Sequence, residues 1–393
     1  MSERRGRAFL FGVGRAIRTG WLIWGLTLLV FLGLEFGYRG TSALRSRLSA
    51  RAAVRDSSRH PYAGQAWWPE LRRDLERRRN RFDPYRSHWS LPQTSRYVNI
   101  DSLGRRVTPQ PRITGPHRQL YLLGGSATWG YTARDSATIG AFLAAELRRR
   151  GLEDVEVVNL AQAAFNATQE ATTLLVELAH GRTPALAVFV NGYNDAATAG
   201  KYGEPGHTYG DEGIQRILDR GHRGFLGDLG GLGDHSAVVE RLRSALGLEP
   251  AKLAARPPAE LCGPVAGYYR SIALAEQSLA TTFGFQAVHF LQPHHSVSRK
   301  PLTPWEAALP RSRWAACLAS LDSAMADQRG ATFFSLVDLF DRDSAIVFVD
   351  SDAHITEAGN QRVAQRIAEV VAPLLVQPKP ATPGLRPASG HRP

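Results

Sequence analysis

The strongest constraint in this sequence is an alternation that begins near Gln119. Short apolar runs at residues 120–123, 155–160, 186–190, 287–291 and 333–337 take turns with segments of helical apolar spacing at 139–150, 168–179, 265–283, 304–328 and 356–375. Runs of that length suit buried strands, and the segments between them are long enough for helices. Regular alternation predicts an α/β fold, a parallel sheet with helices on both faces. In such a sheet ligands gather beyond the carboxyl ends of the strands. Chemistry is therefore to be sought in the residues that follow each run.

The N-terminus is of another kind. Residues 1–18 are polar and basic, and residues 20–34 carry no charge and include Trp21 and Trp24. With residues 35–38 this stretch comes near the ~20 residues that span a bilayer, and paired tryptophans suit a membrane interface. No clear Ala-x-Ala cleavage site follows, so a single uncleaved transmembrane anchor over 19–38 is expected. Arginines flank both ends of the stretch, with Arg39, Arg45, Arg47 and Arg51 following it, so the charge rule does not decide its orientation; a short basic N-terminus usually stays inside, which makes a periplasmic or extracellular body the expectation. Residues 39–115 are rich in Arg, Trp and Pro and read as a connector that wraps the body, its main regular part a helix near 69–79. The body spans 116–376. Within it, 196–262 breaks the rhythm with a glycine-heavy stretch and reads as an insertion beside the site, shaping substrate choice. The tail 377–393, rich in Pro, Gly and Ala, is expected to be disordered.

Composition narrows the partners. The chain has 393 residues, 43% hydrophobic and 21% charged, which describes a globular protein. Its net charge of +12 is almost entirely arginine, since lysine occurs only at 201, 252, 300 and 379. No zinc-finger spacing, helix-turn-helix signature or aromatic RNA-binding motif accompanies that charge, so no nucleic-acid partner is expected. Solvated surface and attraction to acidic membranes or polymers account for it. Cys262 and Cys317 lack metal-binding spacing; a disulfide and two buried thiols both remain open.

Four blocks lie at the ends of the expected strands. They are Gly124-Gly125-Ser126-Ala127-Thr128-Trp129-Gly130, Asn159-Leu160-Ala161-Gln162-Ala163-Ala164-Phe165, Asn191-Gly192-Tyr193-Asn194-Asp195, and Asp350-Ser351-Asp352-Ala353-His354-Ile355-Thr356-Glu357-Ala358-Gly359-Asn360. Singly each has a structural explanation: Ser126 as a turn residue between glycines, Asn194 as a turn former, Asp195 as a helix cap, His354 as part of a helix start. Together and in this order, over roughly residues 97–375, they resemble the SGNH (GDSL-type) hydrolases. The segments Val98-Asn99-Ile100-Asp101-Ser102-Leu103-Gly104-Arg105-Arg106, Leu291-Gln292-Pro293 and Lys300-Pro301-Leu302-Thr303-Pro304 resemble a membrane-anchored bacterial branch of that family.

The resemblance implies a flavodoxin-like three-layer sandwich and an acyl-ester hydrolase that needs no metal or organic cofactor. It implies Ser126 as nucleophile and His354 as its base, because a serine hydroxyl attacks only when a base takes its proton. It also implies an oxyanion hole made by the Ser126 N–H, the Ala164 N–H and the Asn194 side-chain amide. Three departures stand out. Gly125 replaces the family's usual aspartate. Ala164 replaces a glycine, which keeps the N–H donor provided the backbone does not need a positive φ. The family spacing Asp-x-x-His is missing, since Asp350 lies four residues before His354 and Asp352 two before. Asp350 is the first candidate for the orienting carboxylate and Asp352 the second, with a Ser-His dyad as the remaining option. The substrate class implied is an acylated carbohydrate or lipid, with acetyl as the first candidate acyl group. An O-acyltransferase acting on an exopolysaccharide, or an SGNH-shaped binding or assembly protein, are the competing expectations.

Overall fold

The computed structural model describes residues 15, 17–42, 60–211, 236, 238–239, 241, 245 and 256–376. Two compact units divide the chain, Met1–Ser58 with Glu212–Ala251, and Arg59–Asp211 with Lys252–Pro393. In the first unit, helix α1 (Ile17–Ser42) is long and apolar enough to cross a membrane, with a mean hydropathy of 1.7. Trp21, Leu22, Ile23, Leu26 and Leu29 stand on it exposed. Its carboxylate Glu35 accepts from Arg39, from the Ser236 hydroxyl at 2.7 Å and from the Val238 N–H at 3.1 Å. Most of the expected 196–262 insertion, the 1–14 part of the basic tail and all of 377–393 lie outside the described residues.

The second unit opens with α2 (Trp68–Arg77). Pro69 sits in its first turn, where the missing N–H does no harm, and Arg77 in its last. A hairpin that the sequence reading did not anticipate follows, β1 (Asn80–Asp83) paired antiparallel with β2 (Ser87–Ser90). The Asp83 carboxylate closes its turn by accepting the Tyr85 and Arg86 N–H groups and the Arg86 guanidinium. Then come β3 (Arg118–Gly124), α3 (Ser126–Trp129), α4 (Ile139–Arg149), β4 (Val155–Asn159), α5 (Ala167–Ala179), β5 (Leu186–Asn191) and α6 (Tyr193–Tyr202). After the second unit resumes, α7 (Pro258–Phe283), β6 (Gln286–Leu291), α8 (Pro304–Ala307), α9 (Cys317–Ala324), β7 (Phe333–Ser335) and α10 (Glu357–Val376) complete it. The single helix expected over 304–328 is broken. Pro310 has no N–H to continue it, and a 3-10 turn at Arg313–Ala316 separates α8 from α9. A disulfide joins Cys262 of α7 to Cys317 of α9.

Five strands form one parallel sheet in the order β4-β3-β5-β6-β7. All five expected apolar runs are in it, with helices on both faces as the alternation predicted. Side chains along β3 and β5 alternate between those faces. Leu120, Leu122, Val188 and Val190 pack on Leu143 and Leu147 of α4 and on Val363 and Ile367 of α10. Tyr121, Leu123, Ala187 and Phe189 pack on Leu174 and Leu178 of α5 and on Ala280 of α7. Each such buried aliphatic side chain contributes roughly 1.5–3 kcal/mol. The order reverses direction between β3 and β5, and the crevice beyond that switch point is where a sheet of this topology holds ligands. Ser126 follows β3 there, and Asn194 follows β5.

Candidate active site

Block one leaves β3 at Gly124 and turns at once into α3, so Ser126 stands half-buried at the head of a one-turn helix. Gly125 has a definite reason to be glycine. A Cβ there would run into the Asn194 side-chain nitrogen and crowd the Phe165 carbonyl at 3.1 Å. The absence of a side chain at Gly125 thus makes room for the close approach of Asn194. Underneath, Arg106 is fully buried and donates to Asp135 and to the Gly130 and Ala133 carbonyls, each at 2.8 Å. The 98–106 segment thereby braces the turn from below.

His354 arrives from the far end of the chain. Its Nε2 accepts the Ser126 hydroxyl at 2.7 Å, and its Nδ1–H donates to Asp350 Oδ2 at 2.6 Å. Those two bonds assign the proton to Nδ1 and leave Nε2 free to act as a base. Asp350 Oδ1 accepts the N–H groups of Asp352 at 2.9 Å and of His354 at 3.4 Å. Burial would raise the Asp350 carboxyl, but the neighbouring His354 and these hydrogen bonds outweigh it and hold the group below the usual carboxylate range. Between Asp350 and His354 the chain turns through Ala353, which has a φ of 67°. Asp352 is not brought to the imidazole: its carboxylate makes no hydrogen bond among the described residues, and burial followed by the Asp350 charge pushes it up.

Sequence reasoning missed what holds this loop. Lys300 and Glu306 form a buried ion pair at 2.7 Å, both side chains 0% exposed. Glu306 Oε1 accepts the N–H groups of Val347 and Phe348 at 2.9 and 3.0 Å, and the Trp305 indole donates to the Val349 carbonyl at 3.2 Å. The segment 300–306 thus fixes the three residues ahead of Asp350. Burial would raise the Glu306 carboxyl, yet the bonds from Lys300, Thr303, Phe348 and Val347 bring it down to about 2. On the other side, the His294 Nδ1 accepts the Ser296 N–H, so its Nε2–H donates to the Ser351 carbonyl at 3.1 Å. The only sequence signals were the Lys300–Pro304 and Gln292-Pro293 marks, which say nothing of what those residues touch.

The candidate oxyanion groups converge from three elements. Asn194 lies in the first turn of α6 and spends one amide hydrogen on the Phe165 carbonyl at 2.7 Å; an amide has a second one to offer. Ala164 has a φ of 67°, so the positive φ that the expectation required to be unnecessary is in fact adopted here; the alanine takes this glycine-like conformation and keeps its N–H, at a strain of roughly 1–2 kcal/mol. The hairpin grips its block. Ser90 donates to Gln162 at 2.6 Å, Gln169 to the Arg86 carbonyl at 2.8 Å, and the His88 Nε2–H to the Ala163 carbonyl at 2.9 Å. A trans peptide is planar, with its C=O and N–H pointing opposite ways. Holding the Ala163 carbonyl therefore aims the Ala164 N–H.

Behind Asn194 lies a buried acid cluster. The Asp195 Oδ1 accepts the Ala167 N–H at the start of α5, at 3.0 Å. Glu170 accepts from Asn191, which in turn accepts from Tyr269. Glu276 faces His289 at 3.5 Å. Burial pushes all three carboxyls up, Asp195 to about 7, and pushes His289 down to about 3. Burial thus favours the neutral form of every one of these groups in mildly acid solution, between the about 3 of His289 and the about 7 of Asp195. Among the described residues no group of three His, Cys, Asp or Glu side chains is placed to hold a metal ion.

The chain is similar to solved structures of esterases. An acetyl xylan esterase matches at 11% identity and a TM-score of 0.38, covering 64% of this chain and 99% of its own. A lipase/acylhydrolase from Enterococcus faecalis matches at 14% identity and a TM-score of 0.37, covering 67% and 100%. An acetylxylan esterase from Geobacillus stearothermophilus matches at 11% identity and a TM-score of 0.35, covering 65% and 95%. No protein-family model and no curated protein matches the sequence.

Proposed function

We propose that the chain is a membrane-anchored serine esterase that hydrolyses an acyl ester, with Ser126 as nucleophile, His354 as general base and acid, and Asp350 as the carboxylate that orients it. The observation that carries this reading is the row Ser126–His354–Asp350, joined at 2.7 and 2.6 Å at the switch point of the sheet. Ser126 attacks the ester carbon while its proton passes to His354 Nε2. Asp350 stabilises the imidazolium that forms, without taking the proton. The oxyanion is met by the Ser126 and Ala164 N–H groups and the Asn194 amide. His354 then returns the proton to the leaving alcohol, and water repeats the sequence on the acyl-enzyme.

Anchoring is part of the proposal. It is supported by the length and apolar surface of α1 and by the Cys262–Cys317 disulfide, which fits an oxidising space outside the cytoplasm. Substrates are acylated carbohydrates or lipids of that space, with acetyl the first acyl group to try. The test uses the full chain in detergent micelles and p-nitrophenyl acetate. Ser126→Ala should lower kcat by roughly 10⁴-fold or more, and a fluorophosphonate should label the unaltered chain at Ser126 alone. Equal turnover by the variant would end the proposal.

A further inference from the structure

A cavity of about 460 Å³ opens beside the site, on the side of Asp350 and Ser351. Its volume lies within the ~300–1,000 Å³ of ordinary ligand pockets. The rings of His60, Trp68, Tyr131 and Trp305 line it, together with the Arg72 and Glu76 side chains of α2. We propose that this cavity seats the leaving alcohol of the substrate, and that this alcohol is a sugar ring. The proposal rests on the esterase reading above and narrows its substrate class to acylated carbohydrates.

The first argument is stereochemical. In ester cleavage the carbonyl oxygen turns to the oxyanion donors, and the leaving oxygen must reach His354 Nε2 to collect its proton. The two parts of the ester therefore lie on different sides of Ser126. Tyr131 stacks on the His354 ring, with centroids 5.1 Å apart, and also lines the cavity. Neither the oxyanion residues Ala164 and Asn194 nor Ser126 and His354 themselves line it; it adjoins the triad through Tyr131 and Asp350, both in contact with the His354 ring. The cavity is on the histidine side, so the alcohol enters it and the acyl group points elsewhere.

The second argument is the chemistry of the walls. His60 lies stacked on Trp68 at 4.3 Å and meets Trp305 edge-on at 5.5 Å. Burial pushes the His60 imidazole down to about 4, so it stays neutral in this stack near pH 7. Arg72 and Glu76 form a loose, half-exposed pair at 3.6 Å. A pyranose has flat C–H surfaces for aromatic rings and hydroxyls around its edge for charged groups. A fatty alcohol would set methylenes against Arg72, Glu76 and Asp350 and strip them of water without return. The walls are also held in place in advance. The Trp305 indole is pinned to the Val349 carbonyl, and Thr132, another wall residue, donates to the Ile355 carbonyl at 2.9 Å. Rigid walls lower the ordering cost of binding.

The experiment separates this proposal from the esterase reading, because it needs no turnover. The full-length Ser126→Ala chain in detergent is titrated with xylotetraose, cellotetraose and chitotetraose, and separately with 1-decanol, following tryptophan fluorescence and calorimetric heat. At least one oligosaccharide should saturate the protein, and Trp68→Ala and Arg72→Ala should each weaken that binding at least tenfold. Arg72 is a surface side chain, so its variant guards against a folding defect at Trp68. Failure of all three oligosaccharides to bind, unchanged affinity in both variants, or saturation by decanol in their place would overturn the proposal. Sugar binding without any p-nitrophenyl acetate hydrolysis by the unaltered chain would instead uphold the cavity and remove the esterase.

Discussion

The two sides of the site are supported by unlike chemistry. The histidine side hangs on charge: a fully buried Lys300–Glu306 pair grips the backbone just ahead of Asp350. The oxyanion side hangs on neutral hydrogen bonds with the hairpin: His88 and Ser90 each bond block two, and Gln169 of α5 donates to the Arg86 carbonyl and the Ser87 hydroxyl. A buried ion pair is costly to break because its survivor is left unpaired. A network of neutral bonds can lose one member and still stand. The histidine side should therefore fail abruptly and the oxyanion side by degrees.

The largest expected effect is at Glu306. Glu306→Ala leaves Lys300 buried alone and should lower stability by about 3–5 kcal/mol, measured by urea unfolding of the chain in detergent. Glu306→Gln keeps an acceptor for Val347 and Phe348 and should fall between the two. The same group sets a pH limit. Its folded pKa of about 2 lies below the ~4.3 of an unfolded glutamate, so its contribution is complete above pH 4.3 and drains away as pH falls toward 2. Acid unfolding that keeps its midpoint in Glu306→Gln would show that the ion pair is not what distinguishes this side.

Asn194→Ala should come next, with kcat lower by roughly 10²–10³-fold and little change in KM, as for other lost oxyanion donors. His88→Ala should reduce kcat by about tenfold through the aim of the Ala164 N–H, the scale of one ordinary hydrogen bond. Recovery in His88→Gln, whose amide can also donate, and a steady KM would mark positioning; a fall in melting temperature with unchanged kcat would mark a purely structural bond. Smallest is Ala164→Gly. Removing the Cβ from a left-handed residue relieves strain, and the melting temperature should rise by the equivalent of about 1 kcal/mol. A loss of stability there would mean that the hairpin needs the methyl group as packing.

The sequence was most legible where the signal is local. The five strand runs could be read because apolar stretches and their punctuation lie within a few residues. Ser126 and Asn194 could be singled out because each lies in a short motif just past a strand run, and His354 because its block opens the last helical segment. Strand order could not be read, since it depends on pairings between distant segments. The β1–β2 hairpin was hidden because Asn80–Asp83 and Ser87–Ser90 are short, polar and without alternation. His88 and Glu306 were invisible for a related reason: nothing near them in sequence reveals the carbonyl or amides they will meet. The pairing of Asp350 rather than Asp352 with His354 was not legible, since it depends on the local turn that includes the positive φ of Ala353.

The acid cluster behind Asn194 has a thermodynamic consequence of its own. Glu170, Asp195 and Glu276 hold protons in the folded chain that the same residues, once in water, would give up near pH 4. Stability from this cluster is therefore greatest below pH 4 and declines as pH climbs through about 7, opposite in sign to the Glu306 effect. Unfolding at neutrality must discharge acid into the medium. The heat of that transition then includes the heat with which the buffer takes the protons up, so a calorimeter should read different unfolding enthalpies in phosphate and in Tris for one and the same molecule.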